Sequence, residues 1–129
     1  MSKAKGMIKF MNGLLILNMI VPFVLVLVGV IMKKFPVSDM HSQNGYNTPV
    51  SRKSQMHWDY AQKIAPDIFI SMGKWLFVIE AIVIIVSLIF QIPAVISVFA
   101  GTCTGFAVLF GGFFYTDSKI EEFVNGKRR

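Results

Sequence analysis

Apolar residues run almost unbroken through three stretches of this chain, about 10–32, 69–92 and 94–115, while polar residues gather between the first two and after the third. A hydrocarbon core about 30 Å thick needs roughly 20 apolar residues per helix, so each stretch predicts a membrane span. The rest divides into a polar loop, 33–67, and a polar tail, 116–129. From 51 to 65 the loop turns from turn chemistry to helical spacing: Ser54, Trp58, Ala61, Ile64 and Ala65 share one face, and Arg52, Gln55, Asp59 and Lys63 the other. The pattern predicts an all-α integral membrane protein, a single domain over 1–129, with three transmembrane helices and a short amphipathic helix at the membrane surface. Ser51 is its expected N-cap, Asp59 and Lys63 an i,i+4 pair, and Pro66 the point where it stops or bends.

Interruptions in the apolar stretches are informative. Lys3, Lys5 and Lys9 ahead of an apolar run resemble a signal peptide, but the run is too long and has no small-x-small cleavage site, which predicts an uncleaved helix. Asn18 needs a hydrogen-bond partner in lipid, and Pro22 frees the carbonyl of Asn18, so the two mark a kink facing protein. Glu80 lies inside the second span, where insertion scales charge up to ~3.5 kcal/mol for an acid at the helix centre, which makes it a candidate functional residue. Only Ile92-Pro93 separates the second and third spans, predicting a tight antiparallel hairpin. In the third span Ser97, Gly101 and Gly105 recur every four positions, with Ala100, Thr104 and Gly111 on a neighbouring face. Such a face suits close helix approach, within the bundle around Glu80 or between copies in a homo-oligomer. Depth counting places Glu80 level with Val108 to Gly111.

In the loop, Pro36, Gly45 and Pro49 punctuate a series of turns, with Asn44-Gly45 supplying a positive φ. Trp58 and Tyr60 are expected at the headgroup level, as are Lys74 and Trp75 at the entry to the second span. Asp117, Glu121 and Glu122 read as a solvated tail, and Asn125-Gly126 as a turn before a basic end.

Composition agrees with the membrane reading: 54% of residues are hydrophobic and the mean hydropathy is +0.60. The net charge of +6 comes from residues flanking the apolar stretches rather than from a stripe on a folded domain, so nucleic acid is not the expected partner. Lys33, Lys34, Arg52, Lys53, Lys63, Lys119, Lys127, Arg128 and Arg129 outnumber the three amino-terminal lysines, so the positive-inside rule predicts an external amino terminus and a cytoplasmic loop and tail. Cys103, in the middle of the last span, has no second thiol and reads as packing. Asp39, His41 and His57 lack a recognised metal-ligand spacing, and no nucleophile and base pattern, phosphate loop or cofactor motif is present. The expectation is therefore no enzyme, no metal and no cofactor.

The loop carries a resemblance. Phe35, Pro36, Gly45, Tyr46, Thr48, Ser51, Lys53, Ser54, Trp58, Ala61 and Lys63 match the signature of the SdpI/YfhL family of membrane proteins, and the ending YTDSKIEEFVNGKRR is similar to that of the family. Asn47 stands where the family has arginine, Val37 where a second proline is common and His41 where asparagine is common. A guanidinium at the turn could clamp an anion with two parallel bonds, and an amide cannot. The resemblance implies bacterial membrane immunity, a non-catalytic protein that binds or shields against a membrane-active antimicrobial peptide. Its implied binding positions are Gly45, Tyr46, Asn47, Thr48, Lys53 and Trp58, with Glu80 added from its burial in the span. Two other readings stand beside it: a signalling module holding a cytoplasmic repressor through Trp58 and the Arg52-Lys53 pair, and an oligomeric transporter in which several Glu80 carboxyls meet.

Overall fold

In the computed structural model, which describes residues 2–128, the apolar stretches form three long helical rods, each long and apolar enough to cross a membrane. The first is built from α1 (Ser2–Gly13), a 3-10 segment (Leu14–Met19) and α2 (Ile20–Lys34). The irregular segment lies one turn before Pro22, which has no N–H to return to the carbonyl of Asn18, and both side chains are buried against the bundle as their chemistry requires. The other rods are α3 (Gln55–Ile89) and α4 (Ala94–Arg128). They form the expected hairpin, closed by Gln91 in the left-handed region at φ 54°. Among the described residues there is no strand.

Large apolar side chains such as Phe23, Ile82, Phe99 and Phe106 point outward along all three rods, the arrangement expected when the surroundings are lipid. The interior is held by close backbone approach. An added Cβ on Gly73 of α3 would lie 2.9 Å from the Val26 nitrogen and 3.0 Å from the Pro22 oxygen of α2. One on Gly29 of α2 would lie 2.9 Å from the Pro66 oxygen of α3. These two glycines, on opposite helices, set the α2–α3 spacing.

Four expectations about the helices are corrected. The amphipathic segment is not a separate surface helix: it is the first part of α3, which continues through Pro66. Pro66 is buried beside Gly29, and this contact with α2 offsets the ~3 kcal/mol that an interior proline costs. The N-cap is Ser54, whose side chain accepts the His57 N–H, rather than Ser51. Asp59 accepts a hydrogen bond from Gln55 Nε2 at 2.7 Å instead of pairing with Lys63. At the other end α4 runs through Asn125-Gly126, because Ile120 and Val124 are buried and Phe123 stacks on Tyr60 of α3 at 3.9 Å between ring centres. At 35 residues each, α3 and α4 are about 52 Å long, well beyond the ~30 Å hydrocarbon core. Their extensions carry the loop.

Candidate functional site

Tyr46 is the pivot of the loop. Its ring is buried between Phe69 of α3 and Phe113 of α4, at 5.8 Å from each ring centre. Its hydroxyl donates to Asp117 Oδ1 at 2.8 Å, the same oxygen that accepts from Thr48 Oγ1 at 2.8 Å. The Gln62 side chain grips the Tyr46 backbone at two points, accepting its N–H at 2.9 Å and donating to its carbonyl at 2.7 Å. Gly45 precedes it at φ 81°, as Asn44-Gly45 predicts, and an added Cβ would lie 2.5 Å from Gln62 Oε1. Ser51 and Thr48 close the next turn reciprocally, each side-chain oxygen accepting the other residue's backbone N–H. Together these bonds hold Gly45, Tyr46 and Thr48 in one geometry.

The outer half of the loop closes over Trp58. The indole is fully buried, donates from Nε1 to the Val37 carbonyl at 2.8 Å, and lies beneath the Arg52 guanidinium, 5.6 Å from the ring centre. Arg52 also donates to the carbonyls of Met40 and Ser42 at 2.9 and 2.7 Å, and its Nε bonds Asn47 Oδ1. Lys53 pairs with Glu121 of α4. Trp58 is therefore not a headgroup anchor, and it is not a surface contact for a partner. The expectation failed because an aromatic at the edge of a span looks the same in sequence whether loop or lipid covers it. The tail is corrected likewise: Asp117 and Glu121 are bonded to the loop rather than solvated.

The Tyr46 hydroxyl is pushed up from its ordinary value near 10, first by burial, then by the hydrogen bond to the Asp117 carboxylate and its charge. A raised folded-state value contributes stability that is complete below the unfolded value and is lost as pH rises through it toward the folded one. The loop should therefore hold up to about pH 10 and loosen above it. Tyr46→Phe removes that dependence, at a cost of about 1 kcal/mol at neutral pH. Protease sensitivity of the loop, compared between the two proteins across pH, measures both effects.

Beneath the turn, an apolar cleft of about 290 Å³ separates α2 from α4, with walls of Val24, Val28, Leu109 and Phe113 and a roof of Gly45, Tyr46 and Asn47. An adjoining cavity of about 340 Å³ shares Val28, Met32 and Gly45. The signature turn thus forms the lid of a lipid-facing groove, with Asn47 exposed at its rim.

Glu80 lies elsewhere, deep in the bundle, fully buried. It is packed against Asn18 and Gly101, the middle of the small-residue face, and is not level with Val108 to Gly111. The hairpin pairs Met72 with Gly112 and Ser87 with Ser97, which sets Glu80 level with Thr104, one to two turns nearer the Ile92 turn than depth counting gives. Ser97, Gly101 and Gly105 are buried against Asn18, Glu80 and Val21 of the same chain, so this face is filled within the bundle. Among the described residues no group of three His, Cys, Asp or Glu side chains is placed to hold a metal ion.

Gly29, Gln62 and Asp117 escaped the sequence reading. The signal available was the position of Asp117 immediately after the apolar run, where an acid is costly unless something answers it. Residues 39–116, more than half the chain, match the family model described as the SdpI/YfhL protein family. No curated protein and no solved structure matches the chain.

Proposed function

Because the chain belongs to the SdpI/YfhL protein family, we propose that it is a bacterial membrane immunity protein, which protects its cell by holding an apolar segment of a membrane-active antimicrobial peptide without catalysis. One observation carries the reading: the family's signature turn is built as the fixed roof of an apolar cleft that opens to lipid between α2 and α4. A peptide already in the bilayer reaches this cleft laterally, in the leaflet that the loop covers. With the loop on the cytoplasmic side, as the balance of basic residues predicts, a toxin that arrives from outside meets the cleft after it has entered the bilayer.

Expression in a sensitive cell gives the test. The wild-type chain should raise survival against a matching peptide from a panel of membrane-active ones. Leu109→Trp, which fills the cleft, should abolish protection at an unchanged level of protein in the membrane. Protection by the filled variant, or by neither protein against any peptide, counts against the reading.

A second reading, that the loop face holds a cytoplasmic repressor, loses Trp58 as a contact, and Arg52 is turned inward. It retains Lys53, about half exposed beside Glu121. Lys53→Glu should then release a soluble protein that purifies with the wild-type chain, and an unchanged set of bound proteins would eliminate it.

A further inference from the structure

Glu80 brings two carboxyl oxygens into the bundle centre, and both are buried with no hydrogen-bond partner among the described residues. Asn18 Oδ1 is in the same condition, while its Nδ2 donates to the Ser97 carbonyl at 3.2 Å. The two side chains meet at Gly101: a Cβ built there would lie 2.5 Å from Glu80 Oε2 and 2.5 Å from Asn18 Nδ2, so these atoms are separated by at most twice that distance. Three acceptor oxygens are thus gathered with no hydrogen bond to any of them, the one amide donor beside them, Asn18 Nδ2, being directed to the Ser97 carbonyl, an arrangement that costs roughly 1–3 kcal/mol per unsatisfied group and far more for an unpaired carboxylate.

Among the described residues no cation answers it. The first rod has no charged residue between Lys9 and Lys33, α4 has none before Asp117, and on α3 Lys74 faces outward. A proton on the carboxyl supplies the missing donor and cancels the charge in one step.

The surroundings of Glu80 differ in its two axial directions. Toward the loop the core closes with Leu76, Phe69 and Leu25. Toward the hairpin turn polar groups continue: Asn18 Nδ2 donates to the Ser97 backbone carbonyl, the Ser97 hydroxyl meets that of Ser87, and Ser87 Oγ, which itself donates to the Val83 carbonyl, lines a cavity of about 440 Å³ bounded by Asn12, Gln91 and Pro93. We propose that Glu80 and Asn18 form an intramembrane proton-binding site, loaded and emptied from the amino-terminal end of the bundle through Ser97 and Ser87. The proton comes from water in the cavity by the turn and returns there. A carboxyl open at one end only binds a proton without carrying it across. The site is separate from the cleft and stands whether or not the chain confers immunity.

Infrared spectroscopy of the full chain in lipid tests it. The wild-type spectrum minus that of Glu80→Gln should show the carbonyl stretch of a protonated carboxyl at neutral pH, and the band should shift on transfer to D2O. Asn12→Trp, at an exposed position in the cavity mouth, should keep the band and slow its exchange at least tenfold. Glu80→Asp should restore a protonated band should Glu80→Gln fold poorly. The proposal is overturned by the absence of a band in both the glutamate and aspartate proteins, by a band that never exchanges, by wild-type exchange in Asn12→Trp, or by loss of the band on adding sodium at constant pH.

Discussion

Trp58→Ala should unlock the loop while leaving the three spans in the membrane. Truncating a buried tryptophan costs about 3–5 kcal/mol, and here the Val37 carbonyl also loses its donor and Arg52 the ring beneath it. The loss falls on one local unit, because the indole is wrapped by residues 36–54 and the first turns of α3, far from the α2–α3 and α3–α4 contacts around Glu80. Local opening then becomes easier without global unfolding. Each 1.4 kcal/mol is tenfold in an equilibrium, so trypsin cleavage after Arg52 and Lys53 should accelerate by about two orders of magnitude or more. Trp58→Phe keeps most of the packing and should lose only the Nε1 bond, about 1 kcal/mol. Trp75 is the contrast: it faces outward on α3, and Trp75→Ala should leave the cleavage rate unchanged. Equal rates for Trp58→Ala and wild type would mean that the loop is held by something other than this indole.

The two tryptophans also show how far the sequence could be read. Periodicity identified the three spans, the buried face of Trp58, Ala61 and Ala65, the protein-facing Asn18-Pro22 pair and the small-residue face of α4, because each is a local pattern imposed by helix geometry and an apolar solvent. Gly45 was legible for the same reason, since its turn demands a positive φ whatever surrounds it. The ties that make the site were not legible. Gln62 meets Tyr46 across sixteen residues and Asp117 meets it across seventy-one, distances at which composition carries no register. Hydropathy also cuts a helix to its apolar length, so in sequence the polar ends of α3 and α4 read as a loop and a tail with solvent for a partner, whereas their partners are each other.

Gly73→Val should disrupt the α2–α3 seam. Even the first added atom, Cβ, would press on Val26 Cγ2, which can rotate away, but would also sit 2.9 Å from the Val26 nitrogen and 3.0 Å from the Pro22 oxygen, which cannot move without their helix. Overpacking of this kind costs about 1–3 kcal/mol, and the valine adds two further methyl groups into the same contact. Gly29 makes the reciprocal contact on α2, against the Pro66 oxygen and the Ile70 nitrogen, so a shift that relieves one glycine strains the other and the helices cannot slide out of the clash. Gly111 serves as control. It lies mid-α4 with nothing within 4 Å of an added Cβ, and Gly111→Ala should be neutral or stabilising by up to ~1 kcal/mol through helix propensity. Thermal unfolding of the three proteins in the same detergent separates the outcomes. A Gly73→Val midpoint equal to that of Gly111→Ala would show that helix separation, rather than backbone contact, governs this seam.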